Sequence, residues 1–325
     1  MAELKRYISN EEKLVMRNDL GKRLNCALAI ILLAYFGNAI SKESESIKFS
    51  FAPGENISFT QKLTTIREND MGEKGKQLDE AVSTTMITIR KTKSGWDVLE
   101  EPRSFSMKRN GKEINNPIVS LLASAVITYK LDSAGNILDV DGYEPFIEGI
   151  SKQVTPEVFT QLKPILDIDA MKSKEIAEWN GRIGDYVGAE VQIGDSFVAD
   201  APYQLSNGEI INYRVHTKIA AFTPCGNSKC IRIEQFYDSQ ADKLAKMTGE
   251  FVSDVIETAA PEKNKADSES NTAVIKGTVT RVIDPDTMLI YEEESNRSIA
   301  MEIDIPGAGP VTVNTSETRK YEFEY

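Results

Sequence analysis

ISFTQKLTTIR at residues 57–67 and STTMITIRK at 83–91 decide the fold class. Both alternate apolar with polar residues and are rich in Ile and Thr. Successive side chains of a strand point to opposite faces, and β-branched residues suit a pleated surface. Period two with this composition therefore reads as a strand with one buried face. The pattern repeats outward. Ile47 to Phe51 alternates and stops at a Pro53-Gly54 turn. An acidic, Gly-containing loop is expected from Glu68 to Leu78. Lys93-Ser94-Gly95 turns into Trp96-Asp97-Val98-Leu99, and Phe105 and Met107 continue one face to Asn110-Gly111, a strong hairpin dipeptide. The first half thus reads as an antiparallel meander.

The middle changes character. Val126 to Leu131 and Ile137 to Val140 are strands around a turn at 132–136. Helices follow. Phe146, Ile147 and Ile150 share one helical face. Thr155-Pro156 is an N-cap with proline at the first helical position, backed by Val158, Phe159 and Leu162. A third helix is expected from Ala170 to Trp179, and strands resume at 189–197. Ser239 to Thr258 carries Leu244, Met247, Phe251 and Val255 at helical spacing. Residues 259–272 hold no large apolar residue and read as a linker or loop. Residues 273–325 return to strands, with turns at Asp284-Pro285-Asp286 and Gly307 to Pro310, and are expected to complete the same sheet. The expected fold is α+β and mainly antiparallel β. It is a large curved sheet or open barrel with helices on one face, and the β-rich domain with its helices runs over 42–258.

The N-terminus has the three parts of a secretory signal: Lys22-Arg23, the apolar run LNCALAIILLAYF at 24–36, and small residues beyond it. Cleavage after Ala39 and after Ser41 both fit, and 1–41 is read as the signal. Met16 is the expected initiator rather than Met1, because the segment before Lys22 is long for a signal's basic region and carries acidic residues at 3, 11, 12 and 19, whereas MRNDLGKRLNC from Met16 looks like an ordinary signal start. The apolar run is shorter than the ~20 residues that span a bilayer. No stable membrane insertion is expected after cleavage. Cys26 lies near the start of the run, where a lipid-modified cysteine does not sit. A periplasmic or secreted location follows.

In that oxidising setting Cys225 and Cys230, between two alternating flanks, are expected to form a disulfide at a hairpin mouth. Two thiolates fall short of a four-ligand zinc site. The formal charge is −12, or −14 without residues 1–41, which hold six basic and four acidic residues. Such a surface repels phosphate backbones, so nucleic acid is not an expected partner.

Catalytic, cofactor and metal sites are not expected. The sole histidine, His216, sits mid-strand. Asp139 and Asp141 resemble a calcium loop without its later glutamate, and Asp284 and Asp286 read as turn residues. Glu292-Glu293-Glu294 reads as a solvated strand end. No nucleophile elbow, P-loop or dinucleotide fingerprint occurs.

FAPG at 51–54, VITYKLDSAGNILDVDGYE at 126–144 and VQIGDSF at 191–197 together resemble a family of exported bacterial proteins of unknown function. Phe197 stands where that pattern has Trp. The resemblance implies no activity and no site residues. The element order is also similar to the half-barrel lipoprotein carriers of the cell envelope. The expectation drawn is a non-enzymatic exported protein binding a lipid-like, apolar or amphipathic ligand. The expected pocket is formed by Phe146, Ile150, Phe159, Leu162, Met247 and Phe251. The alternatives are a fully packed structural or partner-binding envelope protein and a carboxylate-based hydrolase.

Overall fold

The computed structural model describes residues 45–70, 72, 75–114, 120–121, 123–163, 166–204, 210–226, 228–239, 270–305 and 309–325. Residues 1–41, read as a signal, residues 240–258 of the helix expected over 239–258, with Met247 and Phe251, and residues 259–269 of the expected linker lie outside them.

The chain opens with β1 (Ile47–Lys48), then long strands β2 (Ile57–Asp70), β3 (Lys76–Lys91) and β4 (Gly95–Arg109), a short β5 (Lys112–Glu113), β6 (Ile127–Asp132) and β7 (Ile137–Asp141). Three helices follow, α1 (Tyr143–Gln153), α2 (Pro156–Leu162) and α3 (Ile168–Arg182). Then come β8 (Glu190–Val191), β9 (Ser196–Gln204), β10 (Ile210–Cys225), β11 (Ser228–Ser239), β12 (Ser270–Ile283), β13 (Ile290–Ile305) and β14 (Gly309–Glu324). Twelve strands form one antiparallel sheet in the order β7-β6-β4-β3-β2-β14-β13-β12-β11-β10-β9, with β5 on β4. The last strand therefore pairs the second, and the two meanders join at the centre, with Glu317 opposite Arg67 and Tyr321 opposite Leu63. The sheet stays open, with β7 and β9 as its edges. The expected α+β class with a large curved sheet holds.

Curvature follows from what α3 touches. Lys172 reaches Asp139 on edge strand β7 at 3.2 Å, and Arg182 reaches Glu293 on β13 at 3.1 Å. Six strand spacings separate β7 from β13, about 29 Å in a flat sheet. Ten helical residues advance only ~15 Å. The sheet must wrap around the helix. α3 starts at an Asp167 N-cap whose carboxylate accepts from Ala170 N at 2.7 Å, and its core anchor is the buried Trp179. Trp179 donates its Nε1–H to Gly135 O at 3.2 Å. Gly135 has φ +94, and a Cβ there would lie 2.4 Å from Phe51. Only glycine lets the β6–β7 turn reach both Phe51 and Trp179.

Several local expectations change. Residues 47–51 do not join the large sheet. Ile47 and Lys48 pair only with β8, while Phe49 and Phe51 turn into the core. The loop expected over 68–78 shrinks, because Glu68 to Asp70 pair with Lys76 to Leu78 and Lys76 neutralises Glu68 at 2.7 Å. Pro102 stands inside β4 where a register shift leaves Arg103 unpaired, a bulge that tolerates proline. The stretch 189–197 splits at a turn into β8 and β9. Ser239 closes β11, and Ser270–Thr272, placed in the linker by composition, already belong to β12.

Cys225 and Cys230 are bonded, with Cα atoms 5.7 Å apart. The hairpin loop is tighter than the cysteine spacing suggests. Cys225 pairs with Ser228 and Cys230 with Thr223, so the bond runs diagonally across the ladder and pins its register.

Among the described residues no helix is long and apolar enough to cross a membrane.

Candidate functional site

A cavity of about 230 Å³ lies between the concave face of the sheet and the C-terminal half of α3. Period two in the strands builds its wall. Phe59, Gln61 and Leu63 come from β2, Ile87 and Ile89 from β3, Val98 and Glu100 from β4, and Tyr321 and Phe323 from β14. Phe51 adds to this apolar wall, its ring 5.8 Å from those of Trp96 and Trp179. Tyr325 packs its ring 4.6 Å from Phe59 and donates its hydroxyl to Ile290 O at 2.6 Å.

The roof is a helical face of another kind. Glu175, Glu178, Trp179 and Arg182 recur at i, i+3, i+4 and i+7 and line the cavity together. Glu175 accepts from Tyr129 Oη at 2.7 Å and from Tyr143 Oη at 3.0 Å. Burial, reinforced by nearby carboxylates, pushes both phenols upward, so both remain hydrogen donors. Arg182 lies over the Tyr321 ring, 4.9 Å from its centroid. Its Nε donates to Glu293, and Arg281 Nε donates to the same oxygen at 2.9 Å. Arg281 also reaches the carbonyls of Gly181 and Arg182 at 3.3 Å. This triad pins the end of α3 to β12 and β13. Glu293 is buried, yet the two guanidiniums hold its carboxyl down at about 2.

Glu100 is the group left without such compensation. Desolvation among apolar walls raises its carboxyl to about 7; Arg182 opposes the rise, while Glu175 and Glu178 add to it. The site is therefore an apolar cleft with a small polar end, the usual constitution of a small-molecule pocket.

The structure places the sequence-derived pocket residues elsewhere. Ile150 is fully buried and Phe146 packs against the core, but neither lines this cavity, nor do Phe159 and Leu162. α1 packs on both α2 and α3, beside the roofing helix. Met247 and Phe251 lie outside the described residues. Glu293, read as part of a solvated strand end, is buried, with exposed Glu292 and Glu294 on either side. The missed signal was cross-strand: Arg281 stands opposite Glu293 in the ladder. His216 sits exposed on β10 opposite Phe236. Asp139 is taken up by Lys172 and Asp141 by Lys130, and Asp284 accepts from the N–H of Asp286 at 2.9 Å within its turn.

No family profile matches this chain, and no curated protein matches it. Among solved structures it is similar to lipovitellin, from a study of lipid–protein interactions in that protein, at 11% identity and TM-score 0.41. The match covers 85% of this chain and 25% of that one, so the chain spans about a quarter of its length. DynF, from the dynemicin biosynthesis pathway of Micromonospora chersina, aligns at 9% identity and TM-score 0.19, covering 86% of each chain. At these scores neither likeness carries an argument about this chain.

Proposed function

We propose that this is an exported, non-enzymatic protein that shelters an apolar or amphipathic molecule in the cavity between the sheet and α3. One observation carries the reading: a cleft of about 230 Å³ with apolar walls from six strands and a polar roof. A cavity of about 150 Å³ takes one benzene, so this one has room for roughly nine carbon atoms. The Cys225–Cys230 bond fits an oxidising compartment, in keeping with the signal-like N-terminus. The layout also fits the resemblance to envelope lipoprotein carriers, an analogy of architecture.

The test is native mass spectrometry of protein purified gently from its own host. The expected result is an added mass of one small apolar or amphipathic molecule. Its removal lowers the thermal midpoint, and added medium-chain acyl compounds restore it. A bare-chain mass, with a midpoint indifferent to such compounds, would instead identify a fully packed structural or partner-binding protein.

A carboxylate-based hydrolase is the second reading, favoured by Glu100. A carboxyl at about 7 is suited to donate a proton at neutral pH. That reading requires a turnover that Glu100→Gln abolishes; the binding reading requires none.

A further inference from the structure

Beside the cavity, a row of charges crosses five strands in direct register. Arg109 on β4 faces Asp79 on β3, Asp79 faces Arg67 on β2, Arg67 faces Glu317 on β14, and Glu317 faces Arg297 on β13. Arg319 joins from two residues along β14, its Nε 3.0 Å from Glu317. Arg109 grips Asp79 through Nε at 2.8 Å and a terminal nitrogen at 3.2 Å. Glu317 is buried and accepts from Arg67 at 2.9 Å and from Arg297 at 3.1 Å.

Four guanidiniums thus share the row's two carboxylates; counting Glu178 on α3, which also acts on Arg319, the cluster keeps an excess of one positive charge in a chain whose formal charge is −12. The buried Nε of Arg297 makes no hydrogen bond among the described residues, and that of Arg319 meets Glu317 as an ion pair without hydrogen-bond alignment. One carboxylate neutralises one guanidinium, so the three arginines around Glu317 stay cationic as a group, and each is partly exposed. Such forks match carboxylate and phosphate oxygens.

The row is on the cavity's side of the sheet. Glu317, Arg319, Tyr321 and Phe323 alternate onto one face, and the last two line the cavity. Arg319 precedes Tyr321 by two residues, about 7 Å along the strand.

We propose that Arg67, Arg297 and Arg319, templated by Glu317, bind the anionic head of an amphipathic ligand whose short tail enters the cavity under α3. This rests on the cavity reading above and adds the ligand's chemical class: an apolar chain ending in a phosphate or carboxylate.

The test titrates the full-length protein by calorimetry with octyl phosphate, octanol and inorganic phosphate, in wild type and in the double variant R297Q/R319Q. Octyl phosphate is expected to bind at least tenfold more tightly than octanol. The double variant removes that preference and leaves octanol binding unchanged, and inorganic phosphate alone binds far more weakly than octyl phosphate. Equal binding of the two octyl probes overturns the head assignment while the cavity reading stands. Failure of both to bind overturns both. Inorganic phosphate matching octyl phosphate makes this a free-anion site and overturns the amphipath. A preference that survives in the double variant overturns the residue assignment. Should that variant not fold, the wild-type preference decides: it must be present and must fall as salt rises.

Discussion

Glu293→Gln is expected to cost the fold about 3–5 kcal/mol, the usual loss when one partner of a buried ion pair is removed. Glu293 is the carboxylate to which both Arg182 and Arg281 donate. An amide in its place leaves two buried guanidiniums facing each other without the countercharge they share. Arg281 would keep neutral acceptors, the carbonyls of Gly181 and Arg182 among them. The loss falls where α3 is fastened to the sheet, so the roof of the cavity loosens as well. The same residue sets an acid limit. Its carboxyl is held at about 2 in the folded state, against an ordinary value near 4.5. A depressed carboxyl stabilises the fold above its unfolded value, and that stabilisation is lost as pH falls from about 4.5 through about 2. Its full size is on the order of 3 kcal/mol. Urea unfolding of wild type and variant at pH 7 and pH 3 checks both points. The gap between the two proteins should be large at pH 7 and should narrow at pH 3. A gap below ~1 kcal/mol at pH 7 would show the triad to be marginal.

Glu100→Gln is expected to act in the opposite sense. The folded-state value of about 7 lies above the ordinary carboxylate value, with desolvation as its main cause. A raised carboxyl favours folding fully below its unfolded value, near 4.5, and that advantage is lost as pH rises through about 7. Glu100 therefore makes the protein less stable at pH 8.5 than at pH 4.5, by up to about 3 kcal/mol. Glutamine keeps the shape and cannot ionise. The variant should match wild type near pH 4.5 and exceed it by up to that amount at pH 8.5, as read by urea midpoints at the two values. Identical pH profiles would mean that Glu100 is well solvated and that the cavity is open to bulk water at that end. The two residues form a matched pair. One carboxylate fixes the roof because two guanidiniums compensate it; at the other, against the cavity wall, desolvation outweighs the opposing charge of Arg182.

The strands were legible from local pattern because a half-buried strand must alternate. ISFTQKLTTIR and STTMITIRK became the adjacent β2 and β3 at the centre of the sheet. The hairpin at Asn110-Gly111 and the Cys225–Cys230 bond were legible for the same reason, being local events. The site was less so. The pairing of β14 with β2 joins residues some 250 positions apart, and no nearby residue announces it. That pairing brings Tyr321 to Leu63 and Arg67 to Glu317, and so creates both the cavity wall and the charged row. The roofing helix also escaped the apolar-stripe rule. Its cavity-facing side holds Glu175, Glu178 and Arg182 around one Trp179, because a polar end of a pocket has to be polar. The apolar stripe rule instead chose Phe146, Ile150, Phe159 and Leu162, none of which lines the cavity; Ile150 is fully buried and Phe146 packs against the core. Glu293 was misjudged because three consecutive glutamates look solvated until alternation and the opposing Arg281 are considered together.

The central claim is that the cavity under α3 takes up an apolar group. The chain has two tryptophans, and only Trp179 lines the cavity. In a Trp96→Phe background, Trp179 emission therefore reports from the site alone. Titration with octanol, whose neutral head makes no demand on the arginines, should shift that emission saturably at one molecule per chain. Adding Val98→Phe, which fills the wall from β4, should abolish the shift. An emission unchanged by octanol, or a shift that persists in the filled variant, would contradict a ligand-binding cavity at this place.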